Sequence, residues 1–231
     1  MKSRSRRIYL SLSLACLLAG SSAAFGQAKV EEEFQYRWRL RNFMGNLAGL
    51  FLPNQGEGSL TFRTDLNGHL LSELTITAGT SAKHEGEYFR YGSEVDTKTL
   101  QPIRAWSAYS WRGETKSKSA PVREEGVLDV ASGIYAIRQD PPVRARRMEI
   151  WSDGKIYPVT VMPLAAETRK MRDGKQINVR RYSIRGVDIP GRRKWKGKLD
   201  LWLTRDAAAT PVEIVISRNL ADVHMELKDL R

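Results

Sequence analysis

Residues 34–41 read Phe34-Gln35-Tyr36-Arg37-Trp38-Arg39-Leu40-Arg41, with every second side chain apolar and those between them polar. Successive side chains of a strand point to opposite faces. The stretch therefore predicts a half-buried antiparallel strand, oily on one side and solvated on the other. The pattern recurs with Leu60 and Phe62, with Met148 and Ile150, and with Tyr157, Val159 and Val161. It returns in Leu199, Leu201 and Leu203, in Val212, Ile214 and Ile216, and in Val223, Met225 and Leu227.

Asn67-Gly68, Asp153-Gly154 and Asp173-Gly174 each lie between strand-like runs. Asn and Asp tolerate a positive φ and Gly adopts it freely, so these pairs predict hairpin turns and antiparallel neighbours. The link from Arg205 to Thr210, before Pro211, is also short. Short links favour a meander, here of about nine to eleven strands.

One segment departs from the alternation. Asp129 is placed to cap a helix from Val130 to Arg138, with Ala131, Ile134, Tyr135 and Arg138 on related faces and Pro141-Pro142 stopping it. A lone helix among antiparallel strands covers the oily face of their sheet. The expected fold is mainly β: a curved antiparallel meander forming an open or partly closed barrel covered by one short helix.

Lys2, Arg4, Arg6 and Arg7 precede an apolar run from Ile8 to Ala19, followed by small residues. The run is shorter than the roughly 20 apolar residues of a membrane-spanning helix and reads as a cleavable secretory signal. Cleavage fits before Phe25 or before Gln27. The second is preferred, giving a signal over 1–26 and a single β-rich domain over 27–231. Cys16 is the sole cysteine. Ser13 stands where a lipobox wants an aliphatic residue, so Cys16 reads as part of the apolar run and not as a lipid anchor.

Removing four of the 38 basic residues and none of the 26 acidic ones takes the chain from a net charge of +12 to +8. A basic protein in a cell envelope meets anionic lipids and acidic polymers. The expected setting is the periplasm, with a monomer facing an anionic envelope component and no nucleic acid.

Catalytic signatures are missing. The sequence has no HExxH, GxSxG, GxxxxGK[ST] or GxGxxG, and His69, His84 and His224 have no second ligand at helical or hairpin spacing. The histidines read as ordinary strand or surface residues, and no metal or other cofactor is expected. Glu124-Glu125, or Asp129 with Asp140, are available as paired acids, but strand-borne acids occur in any β-protein.

Arg192, Arg193, Lys194, Lys196 and Lys198 surround Trp195. They read either as a solvated loop leading into the Leu199 strand or as a basic surface for a membrane interface or an acidic glycan. The chain carries six tryptophans, more than a core of this size requires. A sheet curving round a helix leaves a groove, and aromatic groove linings suit hydrophobic ligands. Trp38, Trp151 and Trp202, with Asp129, Ser132, Tyr135 and Arg138 of the helix, form the candidate pocket or helix cover; capping and bracing also account for Asp129, Ser132 and Arg138.

The segment Asp129-Val130-Ala131-Ser132-Gly133-Ile134-Tyr135-Ala136-Ile137-Arg138, and Trp202-Leu203-Thr204-Arg205-Asp206 followed by Pro211-Val212, resemble motifs of DUF3108, a family of exported bacterial proteins of unknown function. In that family basic residues follow the Asp of the last turn, where this chain has Ala207, Ala208 and Ala209. The resemblance implies a periplasmic single-domain β-protein and supplies no activity. The expected architecture is more loosely similar to lipoprotein carriers of the LolA and LolB type. The leading functional expectation is a non-catalytic binding or carrier protein for a lipid or acyl chain. The alternatives are a structural or assembly factor binding an envelope protein or acidic glycan, and a hydrolase with an unrecognised site.

Overall fold

The computed structural model describes residues 29–41, 53–79, 85–111, 113–218 and 221–230. The expected secretory signal over 1–26, Cys16 and His84 lie outside the described residues. The strands are β1 (Lys29–Arg41), β2 (Gln55–Thr64), β3 (His69–Ala78), β4 (Tyr88–Asp96), β5 (Pro102–Trp111), β6 (Glu114–Pro121) and β7 (Val127–Leu128). After helix α1 (Val130–Gln139) come β8 (Arg146–Ser152), β9 (Lys155–Lys170), β10 (Gln176–Gly186), β11 (Lys198–Thr204), β12 (Pro211–Arg218) and β13 (Ala221–Leu227).

All thirteen form one sheet in the order β6-β5-β4-β3-β2-β1-β13-β12-β11-β10-β9-β8-β7. Two meanders are thus joined where the first and last strands pair, with Tyr36 opposite Leu227 and Trp38 opposite Met225. The fold is the expected curved meander with one helix, but its strand number exceeds the nine to eleven read from sequence. The reason is composition. Every residue of β6 except Ala120 is exposed, so β6 shows no oily face, and β7 is a two-residue parallel pairing with β8.

The sheet curls without closing by backbone hydrogen bonds. Its two margins meet through an apolar cluster of Ala105, Val122, Val127 and Trp151. Lys118 Nζ also reaches across to the Asp153 carbonyl at 3.2 Å.

The three predicted turns form. Asp153 and Gly154 take φ of 52° and 77°, and Gly68 and Gly174 take 80° and 85°, the left-handed region that the Asn-Gly and Asp-Gly pairs were expected to supply.

Inside the curl, α1 is held at both ends by polar groups. Asp129 carboxylate oxygens accept the Ala131 and Ser132 amides at 3.0 and 2.9 Å, and Ser132 Oγ accepts the Asp129 amide at 3.0 Å, a complete capping box. Ser93 Oγ of β4 donates to the same carboxylate at 2.6 Å, and Ser72 of β3 lies at 3.4 Å. At the far end the buried Arg138 guanidinium makes two bonds to Glu32 of β1, at 2.6 and 2.9 Å. It also donates to the Ala209 and Ala208 carbonyls at 3.0 and 3.1 Å. The same group lies over the rings of Phe34 and Phe62 at 4.8 and 5.4 Å. The turn carrying Ala208 and Ala209 is therefore where the helix docks.

Between these ends Ala131, Ile134 and Ile137 are buried against the strands, while Tyr135 is half-buried with its ring 5.1 Å from that of Phe62. Ile134→Ala should lower unfolding stability by about 3 kcal/mol by opening a cavity, and Tyr135→Ala by less, since part of its ring is already solvated. Gly133 has open space where a Cβ would stand. Gly133→Ala should therefore raise stability by about 1 kcal/mol through helix propensity. Urea unfolding of the three variants measures all of these changes; a destabilised Gly133→Ala would mean that the crevice beside the helix is not there.

Candidate functional site

The helix fills only one end of the barrel. Its contact with β8–β11 is nearly solid, leaving a crevice of about 30 Å³ lined by Gly133, Ile134, Ile137 and strand residues, no more than the liquid volume of one water. The groove expected between helix and sheet is thus occupied by the helix's own side chains.

The hollow lies at the opposite end. One cavity of about 530 Å³ is lined by Leu74, Tyr91, Val130, Tyr157, Trp195, Leu199 and Ile216, together with Arg193, Lys194, Lys196 and Asp153. A second, of about 310 Å³, is lined by Trp38, Leu40, Pro53, Ile76, Ala78, Phe89, Trp111, Val223 and Glu87. Tyr91 and Ile216 line both, so the two adjoin. Strand alternation accounts for the lining: Trp38 and Leu40 end the oily face of β1, Ile76 that of β3 and Ile216 that of β12, all at the same end of an antiparallel sheet. Trp38 lies across Gly56, where a Cβ would stand 2.6 Å from its Nε1, and that nitrogen donates to the Thr77 carbonyl at 2.7 Å. Both volumes fall in the range of about 300–1,000 Å³ usual for small-molecule sites.

The loop between β10 and β11 forms one wall of the larger hollow. Trp195 folds back against two glycines: a Cβ on Gly186 would stand 2.2 Å from the Trp195 carbonyl oxygen, and one on Gly197 would stand 2.7 Å from its indole ring. Only glycine admits so close an approach.

The loop's cations divide. Arg193, Lys194 and Lys196 line the hollow, while Arg192 pairs with Glu149 and Lys198 Nζ lies 3.2 Å from Asp200. Asp200 is buried on the outer face, bonded by Arg181 and Arg185 at 2.7 and 2.9 Å. Burial works against its ionisation, but the hydrogen bonds from Arg181, Arg185 and Lys198 outweigh that and hold its carboxyl below the usual range.

The residues expected to form a pocket are not brought together. Of the three tryptophans Trp38 alone lines a hollow. Trp151 is buried in the apolar cluster between the sheet margins. Trp202 points outward, opposite to Leu201 and Leu203, with the guanidinium groups of Arg169 and Arg181 at 4.7 and 4.9 Å from its ring and Glu167 accepting from its Nε1. Asp129, Ser132 and Arg138 are committed to holding the helix, and Tyr135 faces Phe62. Sequence reading missed Trp111, Phe89 and Tyr91, which sit on strands whose alternation is weak.

Among the described residues one group has side chains spaced to hold a cation: Asp65, His69 and Glu94, whose ligand atoms lie within 4.8 Å of one another. His69 was expected to lack a second partner, but the β2–β3 turn and the neighbouring strand supply two. Its Nδ1 lies 2.9 Å from Glu94, and Asp65 accepts the Asn67 and His69 amides at 2.8 Å each. Arg104 approaches the other Glu94 oxygen at 3.4 Å. These bonds already account for the cluster as a clasp on the turn. Glu124 and Glu125 are exposed, and Asp129 and Asp140 stand at opposite ends of α1, so neither pair makes an acid–base site.

The sequence matches no known family model and no curated protein, so the DUF3108 resemblance gains no support from these comparisons. Among solved structures the chain is similar to a beta-barrel-like protein of the domain of unknown function DUF1849 from Brucella abortus, at 9% identity and a TM-score of 0.43, over 84% of this chain and 94% of that one.

Gly186→Ala should push the Trp195 loop off the sheet, costing about 1–3 kcal/mol and shifting the tryptophan emission; an unchanged spectrum and midpoint would mean that the loop does not rest there. Because the Asp200 carboxyl is depressed in the folded protein, its contribution is complete above the unfolded value of about 3.9 and is lost as pH falls through the lower folded value. Thermal unfolding followed from pH 6 to 2 (roughly, the carboxylate range) should show a midpoint that drops at the acid end, and a shallower drop in Asp200→Asn.

Proposed function

We propose that this chain is an exported, non-catalytic binding or carrier protein of the periplasm that takes an apolar moiety, a lipid or acyl chain, into the two hollows at the open end of its barrel. The observation that carries this reading is the contrast between the two ends. One is filled by α1 down to a crevice of about 30 Å³, while the other keeps a hollow of about 530 Å³ with apolar and polar side chains in its lining and one of about 310 Å³ lined almost wholly by aromatic and aliphatic side chains. Water in such a lining makes few hydrogen bonds, so its replacement by hydrocarbon is favourable, at roughly 0.8 kcal/mol per buried methylene. The basic, signal-like N-terminus and the resemblance to DUF3108 support an envelope location.

An assembly factor working by strand addition would use an open sheet edge. The β6 edge carries Lys116 and Lys118, charges that discourage strand addition, so the interior is the preferred site.

Native mass spectrometry of the protein purified from the periplasm should show an adduct of lipid mass, and the delipidated protein should take up a fluorescent acyl probe with quenching of tryptophan emission. Recovery of the bare chain, with no probe uptake by folded protein, would exclude a carrier role.

A further inference from the structure

Resting on the reading of the hollows as a binding interior, we propose that the ligand is a single-chain anionic amphiphile. Its headgroup is held by Arg193, Lys194 and Lys196, and its tail runs past Tyr91 and Ile216 into the second hollow.

The charges of the β10–β11 loop fall into two sets. The cations turned away from the interior are ion-paired, Arg192 with Glu149 and Lys198 with the buried Asp200 that it shares with Arg181 and Arg185. Those that line the larger hollow are not. Arg193 and Lys196 have no ion pair among the described residues, and Lys194 has only Asp188 at 3.6 Å, a carboxylate 82% exposed. Asp153 is the one acid in the same lining, so the exposed Arg193, Lys194 and Lys196 leave an excess of positive charge at the rim of a space that also presents Ser152 and Ser217 beside its apolar side chains. Cations placed against low-dielectric walls attract a negative group more strongly than the same cations in open water.

The second hollow has the opposite character. Its lining is aromatic and aliphatic, with Glu87 its one charged residue. A ligand satisfying both must be negative at one end and hydrocarbon at the other. A free phosphate would meet the loop and leave the second hollow empty, whereas an uncharged hydrocarbon would fill that hollow and leave the cations unmatched. The shared lining at Tyr91 and Ile216 gives the tail its path. The fixed seat of Trp195 against Gly186 and Gly197 keeps the cations at the wall.

The test compares cis-parinaric acid with its methyl ester on delipidated protein, with circular dichroism to confirm folding. The acid should bind about tenfold more tightly than the ester at low ionic strength, a gap of about 1.4 kcal/mol. The gap should narrow in high salt and shrink to the share left by Lys194 in the double variant Arg193→Gln/Lys196→Gln, while the ester's affinity stays unchanged. Ile216→Trp should weaken both long-chain probes and leave competition by octanoate as it was. Displacement by lysophosphatidate or by oleate then distinguishes a phospholipid headgroup from a free fatty acid. Equal binding of acid and ester, unaffected by the double variant, would overturn the headgroup assignment and leave the interior reading standing. Failure of both probes to bind folded protein would overturn the two together.

Discussion

The arrangement depends on two polar clamps set into an apolar interior, the Asp129 carboxylate with Ser72, Ser93 and Ser132 at one end of the helix and the Arg138 guanidinium with Glu32 and two alanine carbonyls at the other. A buried charge without partners is costly, so each clamp is satisfied only when the helix sits in one register against β1, β3, β4 and the β11–β12 turn. Apolar packing of Ile134 and Ile137 would tolerate a slide along the sheet. The clamps do not. They fix the helix toward one end, and the length of a ten-residue helix then decides how much of the barrel stays hollow.

Much of this architecture was legible in the sequence. The alternation in residues 34–41 places Phe34, Tyr36, Trp38 and Leu40 on one face, and Tyr36 and Trp38 are buried there. Asp129 announced the helix start. What stayed hidden had physical causes. Glu114–Pro121 has no apolar face because it lies at the margin of the sheet, where little covers it. The hollows result from side-chain volumes contributed by many strands, and no local pattern encodes such a sum.

The tryptophans show both sides of this. Their number suggested a lined groove, and Trp38 and Trp111 line one hollow and Trp195 the adjoining one. Trp202 was grouped with them, although its position between the inward Leu201 and Leu203 already assigned it to the outer face, where two arginine planes shield it. Asp65 and His69, four residues apart across a turn, were likewise open to recognition, whereas Glu94 comes from a neighbouring strand that turn spacing does not reveal. The division of the loop cations was beyond sequence reading, since an irregular loop has no period to say which of Arg192 and Arg193 borders the hollow.

The meeting of the two sheet margins through Ala105, Val122, Val127 and Trp151 has a mechanical consequence. A barrel closed by hydrogen bonds has a circumference fixed by strand number and stagger, because any change breaks a backbone ladder. Here one joint of the ring is made of side chains. Its width follows the rotamers of four apolar residues and the reach of Lys118, so the girth of the interior is adjustable by local repacking while every strand keeps its partners.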